Sequence, residues 1–237
     1  MKLSWSITLT SILMSVGSRL IPGVGRVHAQ VLPFSQAWQS ANFDALQREG
    51  PLWVALGDSM SQGIGAHDIS GGWVGQLRAR FAAAGHDTRL VNLSVTGARV
   101  HDVLNDQIPR LHDLGAKPDL VTVLVGANDM LVRRRRAAAV DHFAMLIQEL
   151  HSDNTVIATL PRRNSHALAI NALIDDAAST SRLRIADMRG RTLRSLRGTR
   201  SEDHFHPNER GYATITDAFA AALDLSQRDD PPGHRPQ

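Results

Sequence analysis

Five short stretches of the chain are rich in apolar residues, residues 52–56, 89–95, 120–125, 155–160 and 183–188, with 52–56 continuous and 120–125 broken only by Thr122. Short apolar runs of this kind belong to strands covered on both faces rather than to half-exposed ones. Each run stops at punctuation: Gly57, Thr96-Gly97, Gly126, Pro161, and the charged stretch after Met188. Between the runs the apolar residues change to helical spacing. Trp73, Leu77 and Phe81 predict one helix that stops at Gly85; Val100, Val103, Leu104, Ile108 and Leu111 predict a second, kinked near Pro109. Phe143, Leu146, Ile147 and Leu150 predict a third, residues 167–178 a fourth, and Tyr212, Ile215 and Phe219 a last one over 208–223. Upstream, Phe34, Ala37, Trp38, Ala41, Phe43 and Leu46 fall largely at helical spacing and predict an amphipathic helix.

Strands that alternate with helices five times require parallel pairing with right-handed crossovers. The expected architecture is therefore α/β, a three-layer αβα sandwich on a five-stranded parallel sheet of flavodoxin-like order 2-1-3-4-5. One domain is expected over 51–225, with no internal repeat. The segment 31–50 is read as an amphipathic helix packing on that domain. Residues 226–237 carry three prolines and many charges but no aliphatic side chain, the composition of a disordered tail. Residues 1–30 form an apolar leader with Lys2, Arg19 and Arg26. It fits a signal peptide, although Ser and Thr dilute the apolar run and Val27-His28-Ala29 lies far beyond it. It fits equally an uncleaved helix lying on a membrane surface or on the domain. Export or membrane association and a cytoplasmic location stay open alike.

Composition narrows the function. At 43% hydrophobic residues a full core can form, and at 5% aromatic it is built from Ala, Val, Leu and Ile. The formal net charge of +3 comes without a basic stripe interleaved with aromatics, so nucleic acid is not an expected partner. The chain has no cysteine, which excludes disulfides, thiol catalysis and thiolate metal sites.

The polar chemistry gathers where the strands end. Gly57-Asp58-Ser59, Thr96-Gly97 and Gly126-Ala127-Asn128-Asp129 follow three of the strands, and a parallel sheet sends all three to one edge. Asp203-His204-Phe205-His206-Pro207-Asn208 opens the last helix. Together these loops hold a hydroxyl, an imidazole, a carboxylate, an amide and glycine backbone N–H groups. A serine is a weak nucleophile unless an imidazole takes its proton, and the imidazole needs a carboxylate to hold its tautomer. Ser59, His206 and Asp203 are the candidates, and a spacing of three lets one turn present Asp203 and His206 on the same side. The N–H groups of Ser59 and Gly97 and the amide of Asn128 are candidate oxyanion donors. Ser61 stands where a G-x-S-x-G elbow needs glycine, which argues against the α/β-hydrolase layout.

These blocks resemble the SGNH hydrolases, the GDSL esterases and lipases. Gly57-Asp58-Ser59-Met60-Ser61 is similar to the family's first block, with Met60 where leucine is usual. The stretch 92–97 resembles the second and supplies the glycine; Gly126-Ala127-Asn128-Asp129 resembles the third and supplies the asparagine. Asp203 to Asn208 resembles the last, with His204 where glycine is frequent. The four blocks stand in family order across 52–223. The resemblance implies hydrolysis of small-molecule or lipid carboxylic esters through an acyl-serine, with acyl transfer as the variant, and neither metal nor organic cofactor.

Other readings remain beside it. A non-catalytic acyl- or carbohydrate-binding module would keep the fold with a vestigial site. Ser59 could be a plain helix cap, Asn128 a turn amide and Gly97 a turn glycine. Asp58 and Asp129 read as structural. Asp203, His204 and His206 have residue types that bind zinc. His67 could line the pocket. Arg133 to Arg136 read either as a solvated run or as a basic patch that draws anionic esters or a membrane surface to the site.

Overall fold

The computed structural model describes residues 22–150, 153–161, 164–181, 183–190 and 198–225. The leader's first 21 residues and the expected tail at 226–237 lie outside them. Five parallel strands, β1 (Leu52–Gly57), β2 (Arg89–Asn92), β3 (Leu120–Leu124), β4 (Thr155–Ala158) and β5 (Arg184–Ala186), form one sheet in the order β2-β1-β3-β4-β5. Around it lie α1 (Pro22–Ala29), α2 (Val31–Leu46), α3 (Ser59–Gln62), α4 (Trp73–Ala83), α5 (Val100–Asp102), α6 (Ile108–His112), α7 (Ala127–Leu131), α8 (Arg136–Glu149), α9 (Ser165–Ser181) and α10 (Glu209–Ala222). Among the described residues no helix is long and apolar enough to cross a membrane.

The continuous apolar character of β1 follows from its central place, because alternate side chains serve two separate core layers. Leu52, Val54 and Leu56 pack with Phe143, Leu146 and Ile170 on one face. Trp53 and Ala55 pack on the other with Trp73, Tyr212 and Phe219. There the Trp73 and Phe219 rings stack with centroids 4.1 Å apart, and the Trp53 indole N–H donates to Thr122 Oγ1 at 2.9 Å.

Polar side chains complete the backbone bonding at the ends and edges of the sheet. Beyond β2 the chain stays bonded to β1, Leu93 N–H donating to Ala55 C=O at 2.9 Å and Val95 N–H to Gly57 C=O at 3.2 Å, while Asn92 Oδ1 accepts from Ser94 N–H at 3.0 Å and from Ser94 Oγ at 2.5 Å. Backbone groups left at strand ends and edges must still be paired when buried. Three buried side-chain amides do this, each donating to a carbonyl and accepting an N–H of the same residue. Asn42 on α2 clips Asn92 along the outer edge of β2, at 2.8 and 2.7 Å. Gln107 clips Gly57 at 2.8 Å both ways. Asn171 on α9 clips Leu160 at 2.9 and 2.7 Å. Leaving one such buried group unpaired costs about 1–3 kcal/mol.

The expected kink at Pro109 takes the form of a π-helical turn, Val103–Gln107, between α5 and α6. Proline lacks an N–H and its ring collides with the carbonyl four residues back, here Asn105. The wider turn, closed by Ile108 N–H on Val103 C=O, relieves that collision. It also leaves Gln107 buried and aimed at Gly57.

Candidate active site

β1 ends in a backbone that only glycine tolerates. Gly57 has φ +146°, and a Cβ there would lie 2.2 Å from Leu124 C=O and 2.5 Å from Ser61 Oγ. Asp58 then caps α3, its Oδ1 accepting Met60 N–H at 3.0 Å. Ser59 is therefore the first residue of a short helix at the carboxyl edge of the sheet. Its own N–H, at a helix start where no intrahelical acceptor exists, has no partner among the described residues.

The loop after β2 brings Gly97 alongside, with φ +82°. Its N–H is likewise without a partner among the described residues. Buried amides hold this loop against α3: Gln62 Nε2 donates to Ser94 C=O at 3.0 Å, Asn92 Nδ2 to Ser61 C=O at 2.8 Å, and Thr96 Oγ1 to Gln62 Oε1 at 2.5 Å. Asn128, on α7, donates through Nδ2 to Ala98 C=O at 2.9 Å and more loosely to Asp58 Oδ2 at 3.4 Å.

The fourth loop arrives from 147 residues away. His206 Nε2 lies 2.9 Å from Ser59 Oγ, and His206 Nδ1 lies 2.6 Å from Asp203 Oδ2. An ionised carboxylate only accepts, so Nδ1 carries the proton and neutral Nε2 is left to accept from the serine hydroxyl. Asp203 is anchored in turn: its Oδ1 accepts from Ser201 Oγ at 2.7 Å and from the N–H groups of Phe205 and His206 at 2.9 Å each. Burial alone would raise the Asp203 pKa. The bonds from His206, Phe205 N–H and Ser201 outweigh it and hold the carboxyl well below the usual carboxylate range. Behind the histidine, the buried Tyr212 hydroxyl donates to Ile64 C=O at 2.6 Å and ties α10 to the loop after α3.

The structure thus brings together Ser59, Gly97, Asn128, Asp203 and His206 around one cleft. His204, where glycine is frequent in the resembling family, has φ +55°, the left-handed region that glycine enters most easily. Its ring is exposed, and among the described residues no three His, Asp or Glu side chains gather in a metal-binding arrangement. His67 is exposed and does not line the cleft. Arg133–Arg135 form a separate 3₁₀ turn ahead of α8, and Arg136 Nε donates to Met130 C=O at 2.9 Å. None of the four lines the cleft either. Sequence spacing missed Gln107, Gln62 and Asn42. The available signal for Gln107 was a polar residue on the apolar stripe, four residues from both Val103 and Leu111.

Asp58 and Asp129 are buried carboxyls on the strand-end loops that carry Ser59 and Asn128. Burial raises both; for Asp129 the Val100 N–H bond and Arg99 work against that rise. For Asp58 the Met60 N–H and His206 oppose burial, yet its pKa is pushed up to about 7. Between pH 4 and 7 the unfolded chain therefore loses this proton while the folded chain keeps it, so stability falls as pH rises through that window. Asp58→Asn removes the titration and preserves the cap oxygen. Its stability relative to the parent should climb with pH by up to about 4 kcal/mol between pH 4 and 7. Urea unfolding at pH 4, 5.5 and 7 measures this, and parallel curves for the two proteins would contradict it.

The chain matches the model of the GDSL-like Lipase/Acylhydrolase family over residues 55–214. It is 34% identical over 109 residues to Esterase TesA of Pseudomonas aeruginosa, an alignment covering 45% of this chain and 52% of that esterase. The chain thus spans about half the length of this curated relative. The crystal structure of TesA superposes with a TM-score of 0.61 at 24% identity, covering 73% of this chain and 99% of the other. The psychrotrophic esterase EstA from Pseudoalteromonas sp., inhibited by monoethylphosphonate, gives 0.59 at 19%, covering 74% and 97%. A family 3 carbohydrate esterase of Clostridium thermocellum gives 0.61 at 18%, covering 75% and 97%. At these identities the superpositions speak for the fold.

Proposed function

Because the chain belongs to the GDSL-like lipase/acylhydrolase family, we propose that it is a serine esterase that hydrolyses carboxylic esters through an acyl-serine. The observation that carries this reading is the unbroken hydrogen-bonded series Asp203–His206–Ser59, at 2.6 and 2.9 Å. Ser59 Oγ attacks the ester carbonyl carbon as His206 Nε2 takes its proton. Asp203, kept ionised by its surroundings, holds the tautomer and stabilises the imidazolium that forms. The carbonyl oxygen becomes an oxyanion facing the N–H groups of Ser59 and Gly97, which have no partner among the described residues. Asn128 adds the hydrogen it now shares with Asp58, the longer of its two bonds. Collapse expels the alcohol, which receives the proton from His206. Water then adds to the acyl-serine with His206 again as base, releasing the acid and restoring the serine.

The substrate class is a neutral ester of small-molecule or lipid type, since among the described residues neither Lys nor Arg lines the cleft. His206 has both ring nitrogens committed to Asp203 and Ser59, which supports imidazole as a proton carrier rather than a metal ligand. A fluorophosphonate reagent tests the proposal. Stoichiometric labelling mapped by mass spectrometry to Ser59 is the expected result, whereas an unlabelled folded protein would favour a non-catalytic binding module. Adding alcohols to the ester assay then separates hydrolysis from acyl transfer by the products formed.

A further inference from the structure

The cleft is closed on one side by a segment outside the region matched to the family. α1 precedes that region by more than 20 residues, yet Val24, Val27 and His28 from it and Val31 at the start of α2 all line the cleft beside Ser59. The placement is built rather than incidental. Gly23 packs directly on the backbone of the loop that carries Asp203 and His206: a Cβ there would lie 2.3 Å from Glu202 C=O and 2.9 Å from its carbon. Arg26 pairs with the Glu202 carboxylate. Just beyond α1, the Gln30 side chain accepts from Gly65 N–H at 2.8 Å and donates to Ala66 C=O at 2.9 Å. Gly65 itself presses on the catalytic loop, its missing Cβ 2.4 Å from Pro207 C=O and 3.0 Å from His206 Cβ. The segment is therefore fastened to two loops that meet at the histidine, and it spans the space between them.

Apart from His28, what it presents to that space is apolar. Buried Val27 joins Ile64 and Phe34 in a small cluster separate from both core layers, with Val31 packed against it. Ile64 and Phe205 complete the apolar lining, and Phe205 stands partly exposed at the rim. Branched, χ1-restricted valines make a firm wall rather than a deformable one.

We propose that this N-terminal strap is the end wall of the substrate cleft, and that Val24, Val27 and Val31 select the length of the ester's apolar chain. The proposal rests on the esterase reading and deepens it. A hydrophobic wall discriminates through the methylenes it admits or refuses, each worth about tenfold or more in kcat/KM. Shortening the wall should admit a longer chain, and thickening it should refuse one.

The experiment measures kcat/KM in the full chain over two series: p-nitrophenyl esters from acetate to octanoate, and alkyl acetates from ethyl to octyl. Val27→Ala is expected to raise the octanoate-to-acetate ratio by about tenfold. Val24→Phe and Val31→Phe, at half-buried positions, are expected to lower it by a similar factor. Opposite directions from emptying and filling the wall are something a mere loss of stability cannot produce. If the ratios move in the alkyl series instead, the wall meets the alcohol side of the ester and the proposal holds with that chain assigned. Unchanged ratios in both series, with every rate falling together, would overturn it. Wild-type protein that labels at Ser59 while its variants keep their ratios refutes the strap alone; protein that does not label takes the esterase reading down with it.

Discussion

Replacing Ser59 with alanine is expected to lower kcat/KM for p-nitrophenyl acetate by about 10,000-fold or more, leaving only the catalysis that bound donors supply. The change is small and local. Ser59 Oγ bonds to His206 Nε2, and the backbone position in α3 suits alanine, a strong helix former. The variant should therefore unfold within a few degrees of the parent, and its N–H remains available as an oxyanion donor. Fluorophosphonate labelling should disappear together with turnover. A purified variant that keeps a tenth of the parent activity would remove Ser59 from the nucleophile's place.

Asp203→Asn is expected to cost about 10,000-fold in kcat with a much smaller change in KM. The amide oxygen can keep the bonds that Asp203 Oδ1 now accepts from Ser201 Oγ and from the N–H groups of Phe205 and His206, so the loop stays ordered. The effect comes from the other atom. An –NH₂ placed 2.6 Å from His206 Nδ1 can only donate, which makes Nδ1 the acceptor and moves the ring proton to Nε2. That proton then faces Ser59 Oγ, and the base is lost while the geometry survives. Asp203→Ala, which deletes the loop bonds as well, should lower both kcat and thermal stability. Comparing the two separates tautomer control from simple anchoring. An Asp203→Asn enzyme with near-normal kcat would mean that the carboxylate serves the loop and not the imidazole.

The fold was largely legible along the chain. Runs such as 52–56 and 120–125 cannot be soluble amphipathic helices, and their regular alternation with helices leaves a doubly covered parallel sheet as the packing that buries them all. The observed order β2-β1-β3-β4-β5 is the expected one. Strand ends were less legible. The run 89–95 continues past β2, where Leu93 and Val95 still donate to β1 carbonyls, and the run 183–188 continues past β5, where Asp187 is exposed and Met188 is buried again. The leader was the least legible: α1 carries only a few valines among glycines and basic residues, and no periodicity announces what they touch.

For the site, the sequence by itself determined which residue types stand at each strand end and after which turn: a serine past a glycine at β1, a glycine past β2, an asparagine past β3, and an aspartate and histidine three apart before the last helix. Local spacing encodes such facts because a turn or a helix start constrains only its near neighbours. The tertiary structure alone decided the 2.9 Å approach of His206 to Ser59, the burial that lifts Asp58, the amides of Asn42, Gln107 and Asn171 that replace missing backbone partners, and the valines that α1 and the start of α2 bring to the cleft. Each of these is a contact or an environment made across many intervening residues. It exists only once the whole sheet has folded and set which distant groups share one small, water-poor space.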